Sequence, residues 1–407
     1  MVNVIGLGYI GLPTALMLAS HGIEVVGTDY NKALVDSLNA GVPTFKEDGL
    51  DELFKDAVDA GIKFTNEYQH TDTYIVAVPT PYDKFSKKVD ACYVKAAVNN
   101  VLNVCNAGAT IIVESTVSPG TIDKEVRPLI AERGFVTGRD IHLVHAPERI
   151  LPGNMIYELV NNNRTIGADE PEVAGRVRDI YASFCKGEIV LTDIRTAEMT
   201  KVVENTFRAL NIAFANELSR ICRHDNMDVY EIIRICNKHP RVNIMNPGPG
   251  VGGHCISVDP WFLVGDYPQL TKVIGESMKV NDSQPDFVLE RLQVIMQENN
   301  IKDASRVGLY GITYKENVDD YRDSPTLQLL ESQERHLAAP LKCYDPFLEN
   351  MKLTESQYSD FDAFINDVDI VVVMVKHDHI CHNWDRLKDK IVLDCHNICP
   401  LPNTYRL

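Results

Sequence analysis

The sequence predicts an α/β protein with two parallel-sheet domains joined by a central helical dimerisation region. Short apolar runs alternate with helical patterns through residues 1–195, and this alternation returns over residues 301–407. Such alternation is typical of parallel sheets, because each strand returns to the sheet through a helix. Residues 196–300 have a mainly helical pattern. A chain of 407 residues is too long for one typical core, which agrees with two or three domains.

The amino-terminal segment VNVIGLGYIGLPTALMLASHGIEVVGTD predicts a strand, a tight turn, a helix and a second strand. Gly6, Gly8 and Gly11 form a G-x-G-x-x-G pattern at the turn. Gly6 allows the turn, Gly8 allows close approach of a pyrophosphate, and Gly11 lets the helix pack on the sheet. Asp29 at the end of the second strand would accept hydrogen bonds from ribose hydroxyls and repel a 2′-phosphate. We therefore predict a Rossmann domain that binds NAD rather than NADP.

Three further strands are predicted in this domain, over residues 73–78, 109–114 and 141–145. Thr80 follows the first of them, Thr116 the second, and Glu148 with Arg149 the third. Ligand-binding groups collect at the carboxyl ends of strands in open parallel sheets. Thr116 and Glu148 are therefore candidates for chemistry, although a helix cap for Thr116 and a surface ion pair for Glu148 remain alternatives.

A long helical stretch is predicted over residues 196–225, with further helical regions over 228–237 and 269–299. Lys201, Asn205 and Arg208 are spaced so that they share one face of the first helix. This face is either functional or simply solvated. A long helical segment between two α/β units often connects and dimerises them.

Residues 241–263, RVNIMNPGPGVGGHCISVDPWFL, hold Cys255 directly after a glycine-rich run. Pro247 and Pro249 prevent a regular helix, and the glycines let the backbone approach a ligand. Asp259 follows the cysteine by four residues. A cysteine on such a turn can be reached by a substrate, whereas the alternative is a buried packing cysteine.

The carboxy-terminal pattern predicts strands over residues 306–311, 341–344, 370–375 and 391–394. No G-x-G-x-x-G motif occurs there, so we predict a degenerate Rossmann-like domain without a dinucleotide. The tail carries several residues of metal-binding type, namely His377, His379, Cys381, His382, Cys395, His396 and Cys399. Their spacing fits no standard zinc pattern, and we predict no metal site.

Composition restricts the partners and the compartment. A net charge of −17 argues against general binding to nucleic acid or to an anionic membrane, while a local basic pocket for a phosphorylated substrate stays compatible. No apolar run approaches ~20 residues, and a strand starting at Val2 leaves no room for a signal peptide. Ten scattered cysteines then indicate reduced thiols in the cytoplasm.

Together these motifs resemble the UDP-glucose/GDP-mannose dehydrogenase family over essentially the whole chain. The matching segments are GLGYIGLP, VPTP, ESTVSPGT, HAPERILPG, AEMTKVVENTFRALNIAFANEL, KHPRVN, GPGVGGHCISVDPWF and GITYKENVDDYRDSP. HAPERILPG and GPGVGGHC-x-x-VDPWF resemble the UDP-N-acetyl-D-mannosamine 6-dehydrogenase branch. His254 stands where UDP-glucose enzymes carry a serine, and Pro152 where they often carry a second acid, so no role for that acid can be transferred.

The resemblance implies oxidation of a sugar C6 alcohol to a carboxylate with two NAD molecules, as in nucleotide-sugar metabolism for polysaccharide biosynthesis. Cys255 would form a thiohemiacetal and then a thioester, because a thiolate is the side chain nucleophilic enough for this step. Lys201 and Asn205 would stabilise the developing oxyanion. Asp259, Thr116 and Glu148 would order and activate the hydrolytic water.

The resemblance also implies binding residues and a homodimer. NAD would contact Gly6, Gly8, Tyr9, Ile10, Gly11, Asp29, Thr80 and Thr116. The UDP-sugar would contact Glu148, Arg149, Lys201, Arg208, Arg241, Gly252, Tyr314 and Lys315. Arg241 matches an arginine that reaches the sugar across a subunit interface, and Arg208 is a polar residue where UDP-glucose enzymes tend to be apolar.

Three other functions stay open at this point. The same chemistry could act on UDP-N-acetylglucosamine or UDP-glucose. A two-electron β-hydroxyacid or phosphogluconate-type dehydrogenase shares the domain plan but would not need Cys255. A non-catalytic NAD-binding regulator would predict loss of Cys255, Lys201 or Asn205, all of which are present.

Overall fold

The computed structural model describes residues 1–333 and 340–407. It divides into two compact units, Met1–Glu204 and Asn205–Leu407. Each unit contains one sheet flanked by helices, so the prediction of two parallel-sheet α/β domains with a helical central region is confirmed.

The first unit is built on an eight-stranded sheet of order β3-β2-β1-β4-β5-β6-β7-β8. The strands are β1 Val2–Ile5, β2 Val25–Thr28, β3 Lys63–Thr65, β4 Thr73–Val76, β5 Ala109–Val113, β6 Ile141–His145, β7 Arg164–Ala168 and β8 Ile189–Thr192. The first six strands have the doubly wound order of a dinucleotide-binding fold. Only the β6–β7 pair is antiparallel within this described sheet. Central strands such as β5 are buried along their whole length, as their continuous apolar sequence requires.

The helices of this unit cover both faces of the sheet. They are α1 Gly11–Ser20, α2 Lys32–Asn39, α3 Leu50–Asp59, α4 Cys92–Val104, α5 Arg127–Glu132, α6 Met155–Asn161 and α7 Pro171–Tyr181, with a π-helical turn at Ile122–Val126. Helix α1 is buried along nearly its whole length, because its residues are small or apolar on every side. This burial fixes the turn between β1 and α1.

Helix α8, Ile194–His224, is continuous across the boundary between the two units. The predicted helix over residues 196–225 is thus confirmed within two residues at each end. The remaining helices are α9 Val229–Cys236, α10 Asp259–Asp266, α11 Lys272–Asp282, α12 Gln284–Glu298, α13 Pro325–Gln333, α14 Phe361–Asn366 and α15 Asp378–His382, with 3₁₀ turns at Ala304–Arg306 and Trp384–Leu387.

The helical region expected over residues 269–299 is confirmed, and it consists of two helices, α11 and α12, which are separated at Ser283. Pro285 lies in the first turn of α12. Proline has no N–H to donate to the preceding turn, so it starts a new helix more readily than it continues one.

The second unit is built on a six-stranded, all-parallel sheet of order β11-β10-β9-β12-β13-β14. Its strands are β9 Val307–Tyr310, β10 Lys342–Tyr344, β11 Gln357–Tyr358, β12 Ile370–Val373, β13 Ile391–Asp394 and β14 Thr404–Arg406. This order repeats the order of the first six strands of the other sheet, which confirms a second Rossmann-like domain. Among the described residues, no helix combines the length and the apolar character needed to cross a membrane.

Candidate active site

The turn after β1 contains three glycines that differ in the space around them. Gly8 leaves room for a ligand, whereas Gly6 and Gly11 leave no room even for a Cβ atom. A Cβ on Gly6 would lie 2.4 Å from the Ala77 carbonyl oxygen, and one on Gly11 would lie 1.8 Å from the Gly6 carbonyl oxygen. Gly6 also has a φ of +88°, which favours glycine. Gly8 is exposed and has open space where a side chain would be. The turn therefore fits a pyrophosphate at Gly8, next to the N-terminus of α1.

Asp29 is fixed beside this turn. The Leu7 N–H donates to one carboxylate oxygen of Asp29, and the Asn31 N–H donates to the other, both at 2.8 Å. The side chain is 8% exposed at the end of β2. Because a carboxylate offers about four acceptor positions, these two bonds leave capacity for ribose hydroxyls. The residues present thus fit NAD.

The other predicted cofactor residues lie at the same edge of the first sheet. Tyr9 packs on Phe45 with ring centroids 4.5 Å apart. Thr80 and Thr116, both partly buried, follow the neighbouring parallel strands β4 and β5, and Ile10 directly precedes α1. The Ser115 hydroxyl donates to the Val78 carbonyl at 2.7 Å and ties these two strand ends together.

Glu148 follows β6 and is buried in a cluster of charged groups. Its carboxylate contacts the Arg164 guanidinium and also accepts the Arg149 N–H at 2.7 Å. Arg164 lies 3.6 Å from Glu114, whose carboxylate accepts the Tyr181 hydroxyl at 3.0 Å. Burial raises the pKa of Glu114 to about 7, against the lowering effect of Arg164. The ion pair of Glu148 is therefore internal, and Arg164 and Glu114 are site-region residues that the sequence analysis missed.

Arg149 is held by a separate set of contacts. Its Nε atom lies 3.2 Å from a Glu204 carboxylate oxygen, and its Nη2 donates to the Thr165 hydroxyl at 2.5 Å. The guanidinium is thereby fixed against β7 and the neighbouring part of α8, with part of its surface exposed. Glu204 could not be recognised from the sequence, because its contact depends on the packing of α8.

Lys201 and Asn205 are both buried and lie one turn apart on α8. The Asn205 amide donates to the Asp259 carboxylate at 2.6 Å. Asp259 is the buried first residue of α10, and its N–H donates to the Cys255 carbonyl at 2.8 Å. Cys255 itself is half-buried. The second unit thus brings Cys255, Asp259 and Asn205 together through a chain of hydrogen bonds.

The glycine-rich loop packs tightly against the segment that contains Tyr314. A Cβ on Gly252 would lie 2.6 Å from the Asp323 carbonyl oxygen and 2.7 Å from the Tyr314 Cβ. Gly253 has a φ of +82°, and its N–H donates to the Arg322 carbonyl at 2.9 Å. Glycine is therefore required at both positions for the loop that leads to Cys255 to pack against Tyr314. Lys315, the next residue, is partly exposed.

A cavity of about 720 Å³ begins at the same loop and was not predicted. It is lined by residues 245–250, by parts of α9, and by Lys376, His396, Asn397 and Ile398. Lys376 and His396 follow β12 and β13, so the cavity lies at the carboxyl edge of the second sheet, where ligands bind in such folds. The positions of Lys376 and His396, just after two predicted strands, were the feature of the sequence that could have indicated this cavity.

Arg208 and Arg241 lie in the second unit, Arg208 partly exposed on α8 and Arg241 exposed in the segment after α9.

In the part of the chain that the structure describes, no group of three or more His, Cys, Asp or Glu side chains is arranged to hold a metal ion. His377 is instead buried against Asp345, and His396 is hydrogen-bonded to the Met374 carbonyl.

A dinucleotide cradle in one Rossmann-like unit and a thiol on a glycine loop in the other define a nicotinamide-dependent oxidoreductase. The chain belongs to the UDP-glucose/GDP-mannose dehydrogenase family. The family's NAD binding domain matches residues 1–185, its central domain residues 195–283 and its UDP binding domain residues 308–400. The predictions of the family, the NAD cofactor and the UDP-sugar dehydrogenase class are confirmed.

Individual relatives match almost end to end. The UDP-N-acetyl-D-mannosamine dehydrogenase of Methanocaldococcus jannaschii is 40% identical over 98% of this chain and 92% of its own. The NDP-N-acetyl-D-galactosaminuronic acid dehydrogenase of Ralstonia nicotianae is 38% identical, over 97% and 95%. The solved UDP-N-acetyl-mannosamine dehydrogenase Cap5O of S. aureus superposes with a TM-score of 0.88 at 38% identity, covering 100% of this chain and 97% of that one.

Proposed function

We propose that the protein oxidises the C6 hydroxyl of UDP-N-acetylmannosamine to the carboxylate of UDP-N-acetylmannosaminuronate. One sugar alcohol, one water and two NAD⁺ give one carboxylate, two NADH and three protons. The observation that carries this proposal is the hydrogen-bonded series of Cys255, Asp259 and Asn205 behind a glycine-rich loop. A two-electron dehydrogenase has no use for such a thiol.

The first half of the reaction requires a nucleophile and a place for negative charge. NAD, held at the Gly6–Gly11 turn, would supply the hydride acceptor for both oxidations. The Cys255 thiolate adds to the aldehyde carbon, and the carbonyl oxygen becomes an oxyanion. Lys201 supplies a buried cation and Asn205 a hydrogen bond to that oxygen. Their burial strengthens both interactions, because little water competes.

Loss of a hydride from the former aldehyde carbon would convert the Cys255 adduct to a thioester, and the second half of the reaction requires water to attack that thioester. Water adds to the acyl carbon and the C–S bond breaks. This regenerates the Cys255 thiolate and releases the sugar carboxylate. Asp259, held by Asn205, together with Glu148 and Thr116, would orient this water and take its proton.

Substrate binding is assigned to residues around these two centres. Gly252, Tyr314 and Lys315 would contact the nucleotide, and the cavity at residues 245–250 provides adjoining volume. Glu148, Arg149 and Lys201 would contact the sugar. Arg208 would meet the N-acetyl group, because a guanidinium can donate to an amide oxygen. The Gly6–Gly11 turn, Asp29, Thr80 and Thr116 would hold NAD.

We further propose a cytoplasmic homodimer formed through α8. Phe207, Phe214 and Ile221 recur every seven residues on one face of the helix, and Phe207 is 67% exposed. Beside Phe214 an apolar groove of about 480 Å³ includes Val273, which is 70% exposed. A second copy presents the same stripe, so a two-fold axis lets each cover the other. The exposed Arg241 would then reach the partner's sugar site.

The dimer is tested by light scattering after size exclusion. We expect Phe214→Glu to convert a dimer into a monomer, because a charge would be buried in the apolar interface. Phe85→Glu, in a loop of the first unit where Phe85 is 97% exposed, should leave the mass unchanged. A monomeric wild type would remove the proposal.

The function is tested by the NADH yield across a panel of UDP-sugars. We expect two NADH per sugar, and a kcat/KM for UDP-N-acetylmannosamine at least about 100-fold above UDP-glucose, roughly 2.7 kcal/mol. One NADH with accumulated aldehyde would exclude the four-electron mechanism. Preference for UDP-glucose would overturn the branch assignment, and preference for the N-acetyl-glucose or N-acetyl-galactose substrate would change only the stereochemistry. Arg208→Leu should narrow the gap to UDP-glucose.

A further inference from the structure

We propose that Arg164 is a positioning residue for Glu148, and that Glu114 and Tyr181 hold Arg164 in place for this task. The inference rests on the proposed role of Glu148 in thioester hydrolysis. Arg164 would not touch the substrate. Its effect would pass entirely through the orientation of the Glu148 carboxylate.

The reversal of one strand brings Arg164 to the active edge of the sheet. Strand β7 pairs with β6 in antiparallel register, with Val144 opposite Ala168 and His145 opposite Gly167. Continuing this register by three residues places Glu148 opposite Arg164. If β7 ran parallel to β6, its first residue would lie at the far edge, away from the carboxyl ends of the other strands.

Contacts on several sides fix the Arg164 guanidinium. Arg164 is only 4% exposed and lies over the Tyr181 ring at 4.5 Å and the Phe184 ring at 5.2 Å. It contacts the Glu148 carboxylate, and its Nη1 atom lies 3.6 Å from Glu114. A planar guanidinium pressed against two rings has little rotational freedom, so it presents a fixed edge to Glu148.

This arrangement also fixes the rotation of the Glu148 carboxylate. Oxygen Oε1 of Glu148 accepts the Arg149 N–H, and oxygen Oε2 contacts Arg164. With both oxygens anchored, the remaining lone pairs point in defined directions and can orient a water.

The charges make a purely structural role expensive. Two carboxylates and one guanidinium are buried together, and burial raises the pKa of Glu114 to about 7. Apolar side chains of similar volume commonly fill such a space with equal or better stability. The cluster is therefore better explained by what it does for Glu148 than by what it adds to the fold.

The test is a double-mutant cycle on the full-length enzyme with UDP-N-acetylmannosamine and NAD. Arg164→Lys keeps the charge but loses the planar fork, and it should lower kcat at least about 10-fold while kcat/KM for both substrates stays within about two-fold, because slowing a late step lowers kcat and KM together. Because hydrolysis is the affected step, a burst of two NADH per subunit should precede the slow phase. Arg164→Lys combined with Glu148→Gln should be no slower than Glu148→Gln alone.

Matched controls separate the possible outcomes. Arg127→Lys, an arginine of the same unit paired with Asp123 and Asp169, should keep wild-type kinetics. If Arg164→Lys fails to fold, Glu114→Gln, which leaves Arg164 in place, should still lower kcat about three-fold or more without a change in kcat/KM. A wild-type kcat in the folded variants, or losses that add up in the double variant, would overturn the positioning role. Wild-type turnover by Glu148→Gln would instead refute the proposed function of Glu148 itself.

Discussion

The two sheets of this chain begin with the same turn. After β1, Gly6 has a φ of +88° and its N–H donates to the Thr28 carbonyl at 2.8 Å. After β9, Gly311 has a φ of +93° and its N–H donates to the Tyr344 carbonyl at 2.8 Å. In each case the acceptor ends the second strand, and an aspartate follows it. The two Rossmann-like domains thus share the glycine conformation and the hydrogen bond at this turn.

The aspartates in the two frames have different neighbours. Asp29 accepts two backbone N–H groups and stays partly accessible. Asp345 is fully buried and accepts the N–H groups of Ile312, Thr313 and Phe347, with the His377 ring 3.2 Å away. Burial alone would raise the pKa of Asp345. The hydrogen bond and charge of His377, with the N–H groups of Thr313 and Phe347, instead hold this pKa below its ordinary value. The Asp29 carboxylate therefore keeps acceptor positions for a ribose, whereas the Asp345 carboxylate is occupied by hydrogen bonds within its own domain.

The largest expected effect tests the division of labour between the two units. Cys255→Ser should lower turnover by about 10³-fold or more, because a serine alkoxide is harder to form than a thiolate. Binding of NAD and of the UDP-sugar should stay near wild type in calorimetry. Cys92→Ser, an exposed cysteine of the first unit, serves as the matched control. Normal turnover by Cys255→Ser would remove the thiol from the mechanism.

The next prediction concerns the buried aspartate. Asp345→Ala should lower the free energy of unfolding by about 3–5 kcal/mol, because several N–H donors and His377 lose their acceptor. Asp362→Ala, an exposed partner of Arg386 in the same domain, should cost less than about 1 kcal/mol. Denaturant titration measures both. Equal costs would mean that Asp345 is no more structural than a surface acid.

Stability against pH should distinguish the acids of the two units. The pKa of Glu114 is raised to about 7 from 4.5, so its folded form binds a proton that the unfolded chain has released. Stability is therefore lost as the pH rises from 4.5 to 7, by up to about 3 kcal/mol. The lowered pKa of Asp345 acts oppositely, since its contribution is present above pH 3.8 and is lost only in stronger acid.

Comparing the pH dependence of stability of Glu114→Gln with that of wild type isolates the contribution of Glu114. The contributions of other buried titratable groups are the same in both proteins and cancel in the difference. One of them is His145, whose pKa burial lowers to about 4. The variant should gain relative stability steadily between pH 5 and pH 7 in thermal unfolding. A difference that is independent of pH would show that Glu114 does not titrate there.

The smallest expected effect tests the available aspartate. Asp29→Ala should narrow the preference for NAD over NADP by about 10-fold, because it removes the acceptor for the ribose hydroxyls and the repulsion of a 2′-phosphate. Steady-state kcat/KM with both cofactors measures the change. A wild type that used the two cofactors equally well would show that the accessible aspartate does not select them.

The main strands, the glycine turn and the long central helix could be predicted from the sequence, because local patterns determine them. The glycine turn at Gly6, the strands β1 and β6, and the long helix α8 are all visible as spacing and apolar runs. Short helices were harder, since α10 has only eight residues and follows a glycine loop. Pro285 was inside a continuous helical pattern, and its position as a helix start became clear only in the structure.

The missing part of the candidate site depends on contacts between distant residues. Arg164 and Glu114 are ordinary strand residues in the sequence, and their meeting with Glu148 requires the antiparallel register of β7. The cavity beside residues 245–250 likewise requires the ends of β12 and β13 to meet a loop far away in the chain. Single-sequence periodicity carries no information about either.

The packing of the glycine loop sets its mutational tolerance. A Cβ on Gly250, Gly252 or Gly253 would press on Pro325, the Asp323 backbone or the Tyr314 ring, whereas Gly248 has open space around it. In a saturation library selected for activity, three of these four glycines should therefore resist every replacement while Gly248 accepts many. We therefore expect substitutions of the loop glycines to be tolerated at Gly248 and not at the three glycines nearer to Cys255.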